Sequence, residues 1–347
     1  MKKHIGSIFK LLFFLGLGIF FIWLFLRNLS PQQKKDIVDS FMKADFAWFY
    51  LSMIVGIASH VFRSLRWKML LKPMGYRPKN INIIMAVFIG YLANLALPRL
   101  GEVSRCGALA RYEKIPMSKS FGTVITERAI DLLTLVLAFT VTILINLDRL
   151  QQYFTLKILN PIQAKIDSLP NPDILFYLIA VILIASLIIL FRLRKRFQHT
   201  FFYIKFKEMV RGFLEGLISL KNMDKPWLFI LYTLSIWGSY WMMTHVVFYS
   251  LQETAVLNLN ASLIVLMFGS IGIIVVQGGI GIYPAIVAET LALYNIDPSP
   301  GYAMGWLLWT AQQLMIVVLG SASFGLLPLL NKKKKTNYET DKRDYSV

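Results

Sequence analysis

Several charged side chains fall where the surrounding sequence is apolar. Arg99, Glu102 and Arg105 follow one another at i, i+3 and i+6, while Glu127, Arg128 and Asp131 interrupt the apolar block 121–147. On a helix, Glu127 and Asp131 share a face. An ionised group at membrane depth costs roughly 2.5–3.5 kcal/mol on insertion scales, so these positions are informative. Two uses are open. Arg99 or Arg105 can neutralise Glu127 or Asp131 and pin neighbouring elements together. Alternatively, the arginines exchange these carboxylates for a charged headgroup, since the guanidinium suits bidentate phosphate contact. A chain limb starting near Gly101 would add backbone amides and the positive end of a helix dipole. Glu127 and Asp131 would also serve as acid and base in an intramembrane enzyme. Glu102, Glu127, Asp131 and Glu289 are candidates for gradient coupling, although Glu289 fits an interfacial helix cap equally well. Arg63 and Arg66, with His60 one turn before, lie near the end of their apolar block and are expected to snorkel to the headgroups.

The elements that must position these residues are membrane helices. The chain has 347 residues, 56% apolar and 16% charged, with mean hydropathy +0.57, outside the range of a soluble globular protein. Disorder is excluded by 25 Phe, 15 Tyr and 8 Trp. A disulfide scaffold is excluded because Cys106 has no second cysteine to pair with. The net charge of +18 would suggest nucleic acid in a soluble domain. Here the Lys and Arg lie between apolar blocks and record topology instead, so no nucleic-acid partner is expected. His4, His60, His199 and His245 show no metal-ligand or catalytic spacing, so no metal, cofactor or catalytic residue is assigned. No G-x-x-x-x-G-K-[ST] loop occurs, so ATP is not the evident drive.

Apolar blocks run over 11–26, 46–71, 81–97, 121–147, 174–193, 227–251, 259–277, 280–294 and 302–330. A spanning helix needs about 20 residues, so not all of these cross. The block 81–97 is short, ends at Pro98-Arg99-Leu100-Gly101 and continues into a polar limb, which reads as a re-entrant hairpin. The block 259–277 is also short, breaks at Gly278-Gly279-Ile280-Gly281 and resumes as a short limb, a second such hairpin. Six full crossings remain. Lys and Arg then concentrate in 1–10, 68–79, 111–119, 192–225 and the tail from 332, whereas 252–300 holds none. The positive-inside rule therefore puts both termini in the cytoplasm of a multi-pass inner-membrane protein.

The fold class expected is all-α, with about six transmembrane helices and two hairpins. Its organisation divides into 1–45, a first helix and external loop; 46–147, span, hairpin, span; 148–226, a loop, a helix and an amphipathic segment; 227–330, span, hairpin, span again; and 331–347, a basic tail. The two repeats have opposite orientation, the inverted arrangement in which broken helices meet near the midplane. Irregular backbone at that depth must line protein or water. Opposed breaks therefore predict a polar cavity, with Gly278, Gly279 and Gly281 offering bare backbone to it. The alternative is that such glycines only permit close helix packing, the role expected of Gly301 and Gly305.

The segment from Asn94 to Arg105, with Pro98, Arg99, Gly101, Glu102 and Arg105, is followed by Thr126-Glu-Arg-Ala-Ile-Asp131 and later by Gln277-Gly-Gly-Ile-Gly281. This pattern resembles the flippase-like family that contains the transmembrane region of lysylphosphatidylglycerol synthase and its stand-alone relatives. The resemblance covers nearly all of 46–330. It implies a polytopic membrane protein that moves or handles lipids, with Pro98, Arg99, Gly101, Glu102, Arg105, Glu127, Arg128 and Asp131 carrying the family pattern. That family commonly has an acid shortly after the glycine-rich break, where this chain has Tyr283-Pro284. Full-length synthases carry a soluble transferase domain after the membrane part; the chain shows none, so aminoacylation by this polypeptide alone is not expected. The first reading is a lipid translocase with anionic headgroups as partners. The others are an intramembrane enzyme, or an accessory subunit that recruits a separate synthetase or transferase.

Overall fold

A computed structural model describes residues 30–97, 99–168 and 223–331, together with 20, 23, 26 and 27. Most of the expected span over 11–26, all of that over 174–193, the amphipathic segment 197–221, the basic tail and Pro98 lie outside the described residues. Among the described residues the chain is all-α, with no strand.

The first helix, α1 (Pro31–Lys43), falls in the loop expected to be external. Ser30 caps it, its hydroxyl accepting from the Gln33 amide while the Gln33 side chain accepts from the Ser30 amide. Its one buried apolar residue, Ile37, docks it on the core, a helix that apolar periodicity over so polar a segment did not announce. Asp45 caps α2 (Phe46–Leu71), whose 26 residues reach about 39 Å at 1.5 Å per residue and exceed the hydrocarbon thickness.

The next pair, α3 (Asn80–Ala96) and α4 (Leu100–Tyr112), forms a helical hairpin. Its limbs touch where Gly90 faces Gly101. A Cβ on Gly101 would stand 2.6 Å from the Asn94 side chain and closer still to the Gly90 carbonyl. Then come α5 (Met117–Ile145), α6 (Leu147–Phe154), a π turn over Thr155–Leu159 and α7 (Asn160–Asp167). After the undescribed segment, α8 (Pro226–Phe248) packs along α2, the broadest helix pairing among the described residues.

The second hairpin joins α9 (Leu259–Val275) to α10 (Ile282–Ala292). Gly278, Gly279 and Gly281 between them have φ of 71°, 70° and 74°, a region where any side chain is strained. The last helix, α11 (Pro298–Leu330), packs on α10, α3 and α2. Gly305 lets it approach: a Cβ there would lie 2.5 Å from the Pro284 Cα. Gly301, 3.1 Å on the same measure from the Ala288 Cα, extends this close face as expected.

By length and composition, three described helices suffice to cross a membrane, those over Phe46–Met74, Met117–Ile145 and Pro298–Leu330. α8 has comparable length but intersperses Trp, Tyr, Ser, Thr and His among its apolar residues. Two apolar cores flank the middle of the bundle. One gathers Phe49 of α2, Val247 of α8 and Ala303 and Leu307 of α11; the other gathers Trp67 of α2, Cys106 of α4, Val124 of α5 and Phe229 of α8. Along α2, the polar residues between Phe49 and Trp67 lie between these cores.

Candidate functional site

Between the two cores, α2, α4 and α5 bring five charges together. Arg63 Nη1 donates to Glu127 Oε1 at 2.9 Å and to Asp131 Oδ2 at 2.6 Å. Arg66 Nη2 donates to Asp131 Oδ1 at 2.6 Å, and Arg105 Nη1 donates to Glu127 Oε2 at 3.0 Å. Glu127 and Arg66 are wholly buried. Three guanidiniums thus surround two carboxylates, Glu127 and Asp131 one turn apart on α5 facing Arg63 and Arg66 one turn apart on α2.

Arg63 and Arg66 therefore do not snorkel. Their partners on α5 stand at the same level, and a buried charge with carboxylate partners in reach avoids the cost of stretching to the headgroups. Arg66 also donates to the Thr233 hydroxyl at 3.2 Å and lies 5.6 Å from the Phe229 ring centroid. Arg105 lies 4.6 Å from the Trp67 ring centroid, and that indole donates to Thr123 at 2.8 Å.

Of the pairings open from sequence, the structure forms Arg105 with Glu127 and leaves Arg99 out. Arg99 sits exposed at the hairpin tip with φ of 66°, immediately before α4. The Gly101 amide, an expected anion contact, is taken instead by the Asn94 side-chain oxygen at 2.7 Å. Glu102 accepts from Arg128 at 2.8 Å; the Arg128 side chain is 48% exposed, unlike the rest of the cluster.

A cavity of about 350 Å³ opens beside this network, within the usual size of small-ligand sites. Its charged wall is Arg63, Arg128 and Asp131, and His60 and Tyr91 stand next to them. The opposite wall comes from Trp237 and Tyr240 of α8, Ser270 of α9, Tyr283 of α10 and Gln312 of α11. Helices from both halves of the chain thus enclose one space. Arg63 Nη2 donates to Tyr240 Oη at 3.4 Å where the two walls meet, and the His60 ring stands 4.5 Å from that of Tyr91.

The glycine-rich break does not line this cavity. Gly278 accepts from the Trp309 indole at its carbonyl at 2.6 Å, and the Gly279 amide donates to the Val276 carbonyl at 2.8 Å, so these two backbone groups are satisfied within the protein. The second hairpin contributes through Ser270, Ile273, Ile274 and Tyr283 instead. Glu289 is exposed on α10 and accepts from the Tyr153 hydroxyl at 2.9 Å, outside the cavity lining. That hydroxyl is pushed up to about 12 by burial and by the carboxylate it faces. Among the described residues no cluster of His, Cys, Asp and Glu has the makings of a metal site.

Sequence reasoning missed His60, Tyr91, Trp237, Tyr240, Tyr283 and Gln312. The three-residue spacing of Arg63 and Arg66 was the available signal for the α2 wall, because it pairs with the four-residue spacing of Glu127 and Asp131. No local pattern marks the uncharged residues of the far wall.

The all-α fold, the long apolar helices and this buried charge layer define a multi-pass membrane-embedded protein. The chain belongs to the family of the lysylphosphatidylglycerol synthase transmembrane region, whose family model matches residues 7–320, and so to a group of lipid-related membrane proteins. It is 32% identical to the UPF0104 membrane protein MJ1595 of Methanocaldococcus jannaschii over 98 residues, 27% of this chain and 29% of that protein. It is 28% identical to the Glycosyltransferase AglD of Haloferax volcanii over 104 residues, 30% of this chain and 17% of that protein. The chain thus spans less than a third of the length of these curated relatives. No solved structure matches it.

Proposed function

We propose that this protein is a lipid translocase, moving a phosphate-bearing lipid or lipid-linked precursor between leaflets. The phosphate enters the cavity while the acyl tails stay in the surrounding lipid. The observation that carries this reading is the placement of Arg63 and Arg128 on one wall of a cavity enclosed by both halves of the chain. Arg63 Nε has no acceptor among the described residues, so that guanidinium keeps a donor for a headgroup while its Nη1 holds the carboxylates. Arg128 is half exposed, and its one ion pair among the described residues is with Glu102, so a phosphate can displace that carboxylate.

The hairpins α3–α4 and α9–α10 act as re-entrant elements of an inverted repeat, each following one long helix and preceding another. Both termini face the cytoplasm of the inner membrane. Asp131, Glu127 and Glu102 link headgroup binding to the charge network and are the groups through which an ion gradient would act. Arg99, at the exposed tip, meets headgroups before they enter.

The test reconstitutes purified protein in liposomes carrying a trace of fluorescent phosphatidylglycerol and follows the fraction reached by an impermeant quencher. Protein should raise the rate of transbilayer exchange, and Arg128→Ala should lower it at least tenfold. A rate equal to that of empty liposomes would reject the reading.

A further inference from the structure

The cavity's uncharged wall specifies what accompanies the phosphate. This inference rests on the translocase reading and deepens it. Beside Arg63 and Arg128 the cavity holds one carboxylate, Asp131, and both of its oxygens are occupied, Oδ1 by Arg66 and Oδ2 by Arg63, each at 2.6 Å. An ammonium group would find no free anion in that lining, which Glu102 does not join, and would face two guanidiniums. Cation–π attraction to the cavity's aromatic rings, about 0.5–2 kcal/mol, does not offset like-charge repulsion at low dielectric.

The remaining polar atoms are neutral and underused. His60 is 2% exposed, and its Nδ1 has no partner among the described residues. Trp237 Nε1 is likewise buried and unpartnered. Each such atom forgoes hydrogen-bond energy unless something in the cavity supplies the other half. Gln312 adds a side-chain amide at the same wall, and Tyr283 a phenol whose ring is seated where Gly269 has no side chain. An unpartnered indole donor, an imidazole nitrogen that donates or accepts by tautomer, and an amide that does both match hydroxyl groups. Aromatic rings beside them suit the apolar faces of a polyol.

We infer that the cavity selects a phosphate lipid whose headgroup is neutral and rich in hydroxyls, a glycerol, inositol or glycosyl phosphate, over one bearing an ammonium. The phosphate lies against Arg128 and Arg63, and the hydroxyls lie against Trp237, His60 and Gln312.

The experiment measures retention of four lipids by the full-length protein in detergent, using native mass spectrometry: phosphatidylinositol, phosphatidylglycerol, phosphatidylethanolamine and phosphatidic acid. Phosphatidylinositol and phosphatidylglycerol should bind about tenfold more tightly than the other two, the effect of one or two added hydrogen bonds. Trp237→Phe and Gln312→Leu should each shrink that preference. Equal binding of all four lipids would overturn the inference and leave the phosphate-binding reading standing. A preference for phosphatidylethanolamine, or a polyol preference unchanged in both variants, would also overturn it. Failure of every one of the four to bind would remove the translocase reading itself.

Discussion

Arg66, wholly buried on α2, donates to Asp131 of α5 at 2.6 Å. Sixty-five residues separate them in sequence, so this contact records how α2 and α5 come together. The same carboxylate holds Arg63 through its other oxygen. Asp131→Asn leaves two buried guanidiniums short of a counter-charge, which costs about 3–5 kcal/mol when a buried pair is broken. The melting temperature in detergent should fall sharply. Glu102→Gln, which keeps a side-chain acceptor for the half-exposed Arg128, should cost less, about 1 kcal/mol. Equal losses in the two variants would contradict the division between a structural network and an exchangeable pair.

Packing supplies a second prediction. Gly305 of α11 faces the backbone of Pro284 in α10, so Gly305→Val has no side chain to push aside and must separate the helices. Overpacking of this kind costs about 1–3 kcal/mol or more. Gly325, where a Cβ would meet nothing within 4 Å, tolerates the same change. Comparing the yield of monodisperse protein for the two variants checks this.

At the surface, Asp224, just before α8, accepts from Lys72 Nζ at 2.6 Å. That hydrogen bond and the lysine's charge hold the carboxyl below its ordinary value. A carboxyl depressed in the folded state contributes stability above its unfolded pKa and loses it as pH falls through the folded one. The small difference in melting temperature between wild-type and Asp224→Asn protein should therefore be present at pH 7 and vanish below the ordinary aspartate range. A difference that persists in acid would contradict this sign.

The paired short helices around each break and the long helices were legible because apolar blocks, glycines and prolines act locally. The expected block 46–71 coincides with α2. The contact of Arg105 with Glu127 was among the pairings the spacing allowed. Arg63 and Arg66 were misread because snorkelling is a property of one helix, whereas their partners arrive from another. Arg99 and the glycine-rich break look chemical in sequence, yet the tip is exposed and the break hydrogen-bonds to its own surroundings. The far wall of the cavity is assembled from four helices, and the residues each supplies, such as Trp237, Tyr240 and Thr244 on α8, recur at the spacing of any helix face, so nothing within one helix singles them out.

Thiol accessibility at two adjacent positions of α9 tests the central claim, a polar cavity enclosed by both halves of the chain. Ser270 lines that cavity, while Ile271 is 40% exposed on a face that does not. With the buried Cys106 replaced by serine, Ser270→Cys should react with a membrane-impermeant thiol reagent, and phosphatidylglycerol should slow the reaction. Ile271→Cys, facing hydrocarbon, should stay unreactive. Reaction at both positions alike, or at neither, would contradict the cavity.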